Sequence, residues 1–515
     1  MTTSYPVSTP IRAASIPIER ELVLEDTTGA RRRLAVAVGS LILAGALALF
    51  LVVGRLPPFD QLFTDPLLFK RGLVVHVVLA LVVWFFAFIG ALWCLLPATR
   101  KAAAFTRVGH ALSVAGLVCL VAAAAWPGSK PVLSNYVPMI DNPLFVFGVI
   151  AFGVGLVIGF LDHRLTTGSE PDQPNIHPLM PPATGHPLMP PAKAHPLMPP
   201  AKGHPLMPPA ARPGLRAAAV AVLIAALTFT ASFWTTSSEM APQPYFELVV
   251  WGGGHVLQFA SSAAMCAVWL MLLTPVLGRS PVSRKVSAVV FGLLVLPLMI
   301  APLMADTQAS GSRTFFTRLM ELGIFPAVTF FLVACVVALI RGARKDGARI
   351  LLDRRVLGFG ASAVLTLLGF GLGASIEGSN TVVPAHYHAS IGAVTAAFLA
   401  ISYELFAPLG LGAPGPRTRR IARWQPLTFG VGQFIFAVGF GIAGAHGLAR
   451  KTYGAEQSAD DAGKTFGLVV MGAGGLIAVA AGLTFLAVCV SAWRRRPRPA
   501  SRHLSSDPHT RTTTA

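Results

Sequence analysis

The chain has 515 residues, 54% of them hydrophobic and only 12% charged, and a mean hydropathy of +0.65. Soluble domains carry about 25% charged residues, so a soluble globular fold is excluded. The formal net charge of +19 does not call for nucleic acid, because many of the cations lie in short loops between apolar runs, where they set membrane topology.

Residues 1–30 read as a polar cytoplasmic tail without the apolar core of a removable signal peptide. Apolar runs of spanning length then recur to the C-terminus. They predict an all-α, polytopic membrane protein with about twelve transmembrane helices. The predicted segments run near 33–54, 71–96, 104–126, 144–161, 215–235, 245–275, 284–305, 314–341, 355–376, 382–407, 424–446 and 465–493. Basic clusters fall at alternate ends: Arg31–Arg33 before the first segment, Arg341, Arg344 and Lys345 after the eighth, Arg417, Arg419 and Arg420 after the tenth. The positive-inside rule then places both termini in the cytoplasm. Residues 31–163 hold segments one to four, 215–495 hold segments five to twelve, and 496–515 form a basic cytoplasmic tail. Cys94, Cys119, Cys266, Cys335 and Cys489 lie inside apolar segments without CxxC spacing, which suits core thiols rather than disulfides or zinc ligands.

Residues 164–214 form a linker. Within it the heptamer His-Pro-Leu-Met-Pro-Pro-Ala starts at His177, His186, His195 and His204, a nine-residue period. Such proline density favours polyproline II, which would align each His–Met pair along one edge. A semi-rigid spacer is one reading; a soft copper-binding edge is the other.

The histidines inside the spans point to chemistry. The tenth segment carries His386 and His388. At about 100° per residue these two rings point roughly 200° apart on a helix, so they cannot ligate one metal but can serve two cofactors on opposite sides. His76 in the second segment and His255 in the sixth, within Trp251-Gly-Gly-Gly-His255, fall at a similar depth in the outer part of the bundle. Four imidazoles on three helices at one depth form a constellation for a metal-cofactor layer, since intramembrane ionisable residues mark function by default. The three glycines would admit a neighbouring backbone or a flat macrocycle. Arg450 and Lys451, just outside the eleventh segment, suit the carboxylates of a buried macrocycle. His446 stands near them, whereas His110 and His163 lie at the wrong depth. Arg318 and Glu321 share a helix face at i and i+3 and read as an intramembrane ion pair, structural or proton-relaying. Glu247 and Glu404 lie near segment ends.

Twelve segments with Val382-Val383-Pro384-Ala385-His386-Tyr387-His388 in the tenth resemble subunit I of the haem–copper oxidase superfamily, which includes cytochrome c oxidases and nitric-oxide reductases. The resemblance spans roughly residues 33–495 and extends to Asn135-Tyr136-Val137-Pro138. It implies an oxidase-like bundle with two haems: His76 and His388 on a low-spin haem, His386 on a high-spin haem that binds O2 or NO, His255 in the place of the first copper ligand, and Arg450 with Lys451 over the propionates. It further implies a place in a respiratory electron-transport chain, a donor such as a c-type cytochrome or copper protein, and a second oxidase-like subunit in the lipid bilayer. The copper site is degenerate. The family's two adjacent histidines would fall near Ala301 and Pro302, the cross-linking tyrosine position is Phe259, and the proton-channel lysine has no counterpart near Thr329. Met304, Met320 and Glu321 are the remaining donors nearby. Three functions follow: a terminal-oxidase or nitric-oxide-reductase-like enzyme, a haem protein that senses a gas or carries electrons without turnover, and a secondary transporter, which would show paired repeats and broken helices.

Overall fold

The computed structural model describes residues 26–56, 59, 66–97, 100–126, 128–165, 207–412, 415–452, 457 and 459–495. The N-terminal tail up to residue 25, the four His-Pro-Leu-Met repeats with either reading of them (apart from Met207, Pro208, Pro209 and Ala210 at the end of the last) and the tail from 496 lie outside the described residues. The described residues are helical apart from loops and one short hairpin. We number the helices α1 (Thr27–Val53), α2 (Leu67–Trp93), α3 (Arg100–Ala124), α4 (Pro143–Phe160), α5 (Arg212–Thr235), α6 (Pro242–Leu277), α7 (Arg284–Val295), α8 (Ser312–Asp346), α9 (Arg354–Ala374), α10 (Val382–Leu405), α11 (Pro416–Ala445) and α12 (Ala462–Arg494). All but α7 are long and apolar enough to cross a membrane, eleven helices among the described residues, as expected of a polytopic membrane protein.

The seventh predicted span, 284–305, is the exception. Its α-helix stops at Val295 and continues as a 3-10 helix, Leu296–Ile300. Pro297 lacks the N–H that another α turn requires. Hydrophobicity alone could not distinguish this broken rod from a full span.

Short polar caps start several helices where the loops reach them. Asn142 accepts from Leu144 N and is followed by Pro143 at the first turn of α4. Asp353 caps α9 and Asp461 caps α12. These side chains take up N–H groups that the first helical turn leaves open. Chain neighbours pack as pairs, α3 on α4, α5 on α6, α9 on α10 and α11 on α12. On α11 and α12 small residues let the backbones touch: a Cβ added at Gly439 would lie 2.2 Å from Met471 N. That is the close approach that drives helix association in lipid.

Two local irregularities bear on the site. In α2 the ladder widens to a π-helix over Val78–Val83, starting two residues after His76; such bulges concentrate at functional sites. Between α3 and α4 a hairpin of β1 (Lys130–Val132) and β2 (Met139–Asp141) pairs antiparallel, Val132 opposite Met139. Its tip carries Tyr136 in the left-handed region, φ 65°. Glu247 of α6 anchors the tip by accepting from both Asn135 N, at 2.9 Å, and Asn135 Nδ2.

The Arg318–Glu321 pair was expected inside the membrane and facing the protein. The two side chains do pair, at 3.0 Å, but they are 70% and 46% exposed. Counting from Arg341, the uncharged stretch 322–340 has 19 residues, about 28 Å at 1.5 Å per residue, enough for the hydrocarbon core. The pair therefore sits just beyond that core as a surface salt bridge.

Candidate functional site

A cavity of about 790 Å³ opens between α1, α2, α6, α10, α11 and α12, closed at one end by the hairpin tip and by Arg450 and Lys451. This is the size of ordinary cofactor sites. His76, His386 and His388 all line it.

Two of these rings are held in the same way. The Nδ1 of His76 bonds Ala44 O at 2.9 Å, and the Nδ1 of His386 bonds Gly369 O at 2.7 Å. A carbonyl can only accept, so each Nδ1 carries the proton and each Nε2 keeps its lone pair. Neither Nε2 has a hydrogen bond among the described residues. An imidazole oriented this way through its other nitrogen is the arrangement of metal-ligating histidines. Gly373 supplies the room: a Cβ there would meet His386 Nδ1 at 2.9 Å. His388, two residues on, packs its ring on Phe436 at 4.3 Å between centroids, with Gln433 in side-chain hydrogen-bond reach and His76 nearby. The i, i+2 separation thus places His386 and His388 on different walls of one cavity, with α10 between them.

His255 is placed differently. It is fully buried and does not line the cavity. Its Nδ1 donates to Trp251 O at 2.7 Å, and its Nε2 accepts from the Tyr136 phenol at 2.8 Å. Both nitrogens are therefore engaged. The triple glycine before it makes room for three side chains, and Gly254 also lines the cavity. Added Cβ atoms would strike Phe316 at Gly252, Phe229 at Gly253 and Tyr136 at Gly254. Tyr136 in turn faces Tyr387 of α10, 6.4 Å between centroids. Burial, with Tyr387 and Glu247 nearby, raises the Tyr136 hydroxyl well above its ordinary pKa, so it stays a neutral donor.

At the lip, Arg450 donates to Ser379 Oγ at 2.9 Å and to Asn135 Oδ1 at 3.4 Å, and Lys451 donates to Leu133 O. Neither has a carboxylate ion-pair partner among the described residues. Burial lowers the Lys451 pKa, a cost that a bound anion would offset.

The other expected residues do not join the site. His446 pairs with Asp461 at 3.0 Å at the surface, and His110 is half-buried on α3 outside the cavity lining. The His163 side chain lies outside the described residues. Glu404 pairs with Arg354 at 2.9 Å. Met304, Met320 and Glu321 are not among the lining residues. No group of three or more His, Cys, Asp or Glu side chains converges on one metal position among the described residues. The sequence reading missed the part played by Tyr136, whose partner is 119 positions away, and by Gln433 and Gln258, which line the cavity as neutral amides.

Comparison with known proteins finds no matching family model. The chain is similar to an uncharacterized protein of Rickettsia prowazekii, 23% identical over 529 residues, covering 88% of this chain and 94% of the relative. It is also similar to an uncharacterized protein of Aquifex aeolicus, 25% identical over 372 residues, covering 72% of this chain and 83% of the relative. The likeness runs along most of each chain.

Proposed function

We propose that this protein is a bacterial inner-membrane haem oxidoreductase resembling subunit I of the haem–copper oxidase superfamily, with both termini in the cytoplasm. The observation that supports it best is the shared treatment of His76 and His386: Nδ1 fixed on a backbone carbonyl, Nε2 left for the cavity. His76 and His388 would hold one haem and His386 the other. Haem would supply a one-electron couple and a place for O2 or NO to bind. The protein's part is to fix ring orientation through Ala44 O and Gly369 O, to exclude water with Phe436, Phe440 and Trp84, and to meet propionate carboxylates with Arg450 and Lys451.

The residues do not fit a copper ion. His255 is the one imidazole at that place among the described residues, and both of its nitrogens are bonded. This favours, as a second reading, a haem protein that binds a gas or carries electrons without reducing oxygen. Haem and metal analysis of the purified protein, with reduced-minus-oxidised spectra, tests both. About two haems per chain support the proposal. A chain purified without haem that takes up none on reconstitution refutes it. Rapid O2 or NO reduction selects the first reading over the second.

A further inference from the structure

A second, smaller cavity lies far from the histidines, at the end of the bundle where the basic residues cluster. It has a volume of about 400 Å³ and is lined by Val336, Leu339, Ile340, Ala343, Arg344 and Leu351. Its shape follows from how α8 ends. The helix leaves its uncharged stretch at Arg341 and runs on to Asp346. Gly347 then takes φ 86°, a conformation open to glycine and costly for other residues. The chain folds back as a 3-10 helix, Ala348–Leu352. Ile350 packs beside Gly342, where an added Cβ would meet Ile350 Cδ1 at 3.2 Å and Leu277 Cδ2 at 2.6 Å. Arg423 of α11 donates to Leu352 O at 3.1 Å. The turn is thus pinned on both sides, yet Leu351 and Leu352 remain 43% and 51% exposed.

Two exposed leucines therefore stand among Arg341, Arg344, Lys345 and Arg349, with Asp346 as the one carboxylate between 341 and 349. None of these four cations forms a salt bridge among the described residues. A soluble anion would neutralise the cations and leave the apolar slot open to water. A zwitterionic lipid would fill the slot and leave the cations unmatched. An amphiphile with a net negative headgroup matches both. We propose that this slot binds one anionic phospholipid, its acyl chain along Val336, Leu339, Ile340 and Leu351 and its phosphate on Arg344, with Arg341 and Arg349 adding to the field. Basic pockets between spanning helices at the membrane surface are where such headgroups are recognised.

The test uses the full-length protein, delipidated in detergent and titrated with phosphatidylglycerol or phosphatidylcholine under native mass spectrometry. We expect one phosphatidylglycerol retained in preference to phosphatidylcholine. Arg344→Ala should weaken that retention about fivefold, the contribution of one cation near an anionic surface, and Arg344→Lys should largely keep it. Leu351→Ser should weaken both lipids without changing the preference. Arg318→Ala, at the opposite end of α8, should change nothing. Inorganic phosphate should not displace the lipid. Equal retention of the two lipids, indifference to Arg344→Ala, or full displacement by inorganic phosphate overturns the proposal. Should Arg344→Ala fail to fold, Arg349→Ala with Arg341→Ala makes the same comparison.

Discussion

Gly254 is the position at which the architecture of the site can be put to a quantitative test. A Cβ at residue 254 would lie 2.4 Å from Tyr136 Cβ and 2.8 Å from its Cγ, both inside the 3.4–4 Å of ordinary contact. The tyrosine cannot swing away cheaply, because Asn135 is tied to Glu247, its own backbone is left-handed, and its hydroxyl is bound to His255. Gly254→Ala should therefore incur about 1–3 kcal/mol for overpacking. Displacing the phenol adds about 1–3 kcal/mol more by leaving His255 Nε2 buried without a donor. Tyr136→Phe keeps the ring and loses only the second part. The two effects share one cause, so they must couple. In a Tyr136→Gly background, which removes the clashing Cβ and suits the positive φ at 136, the alanine at 254 has free space, and its cost should fall below about 1 kcal/mol. Thermal and denaturant unfolding of the four detergent-solubilised proteins, followed by circular dichroism, measures the cycle. If Gly254→Ala alone unfolds at the wild-type point, or costs the same with and without Tyr136, the hairpin tip is not seated on α6 as described.

Other expectations follow from the same geometry. His76→Ala and His388→Ala should each remove one and the same low-spin haem signal and leave the other haem detectable; two complete spectra would sink the ligand assignment. His386→Ala should abolish carbon monoxide binding to the reduced protein, and the wild type should contain less than one copper per chain; stoichiometric copper with rapid oxygen reduction would show that the seventh segment has been misread. Met207, Ala210 and Ala211 are buried, and Ser287 binds Ala210 O, so a deletion of 177–206 joined by a flexible linker should leave haem content and membrane insertion intact, whereas one extended to 211 should destabilise the protein; loss of a copper or haem signal on the shorter deletion would refute the spacer reading. Burial works to raise the Asp353 pKa, but the bonds from Arg355, at 2.9 and 3.0 Å, outweigh it and the net shift is downward. Its contribution is then present above the unfolded carboxylate value, near 3.9, and is lost as pH falls through the lower folded value. Asp353→Asn should flatten the acid limb of the stability profile below about pH 5 and cost about 0.5–1 kcal/mol at neutral pH; an unchanged acid limb would contradict this.

The spans were legible because the bilayer allows few alternatives: every backbone group must be satisfied within its own helix, and a run such as 322–340 has no other use. The division of His386 from His388 was equally legible, since it needs only the turn angle of a helix. What could not be read was contact made across the chain. The strands of the hairpin have three residues each, too short for a period. Nothing local shows that residue 136 would seat on residue 254. The Gly252–Gly254 run announced a close approach but not its occupants, because phenyl rings, a phenol and a macrocycle all need the same missing Cβ. The change of helix type in the seventh segment was hidden for the opposite reason, because hydropathy reports where a chain can be, not whether its helix stays α past Pro297.

His255 differs from the rings of His76 and His386 in what its nitrogens meet. An imidazole can coordinate a metal only if one nitrogen is left over. Residue 251 takes the first nitrogen through the helix's own carbonyl, four positions back. That bond uses the Nδ1 proton and turns Nε2 into an acceptor, the state that His76 and His386 also adopt. The three rings differ only in what stands opposite Nε2. For His76 and His386 it is a cavity wide enough for a cofactor. For His255 it is a phenol carried on a loop with its own anchor on Glu247. On the proposed function the same local device would serve cofactor binding at two positions, while it holds the hairpin against α6 at the third. The hairpin in turn brings Leu133 and Asn135 to Lys451 and Arg450. Weakening the Tyr136–His255 contact should therefore be felt at the cationic lip as well as in α6, a coupling that no metal at His255 is needed to explain.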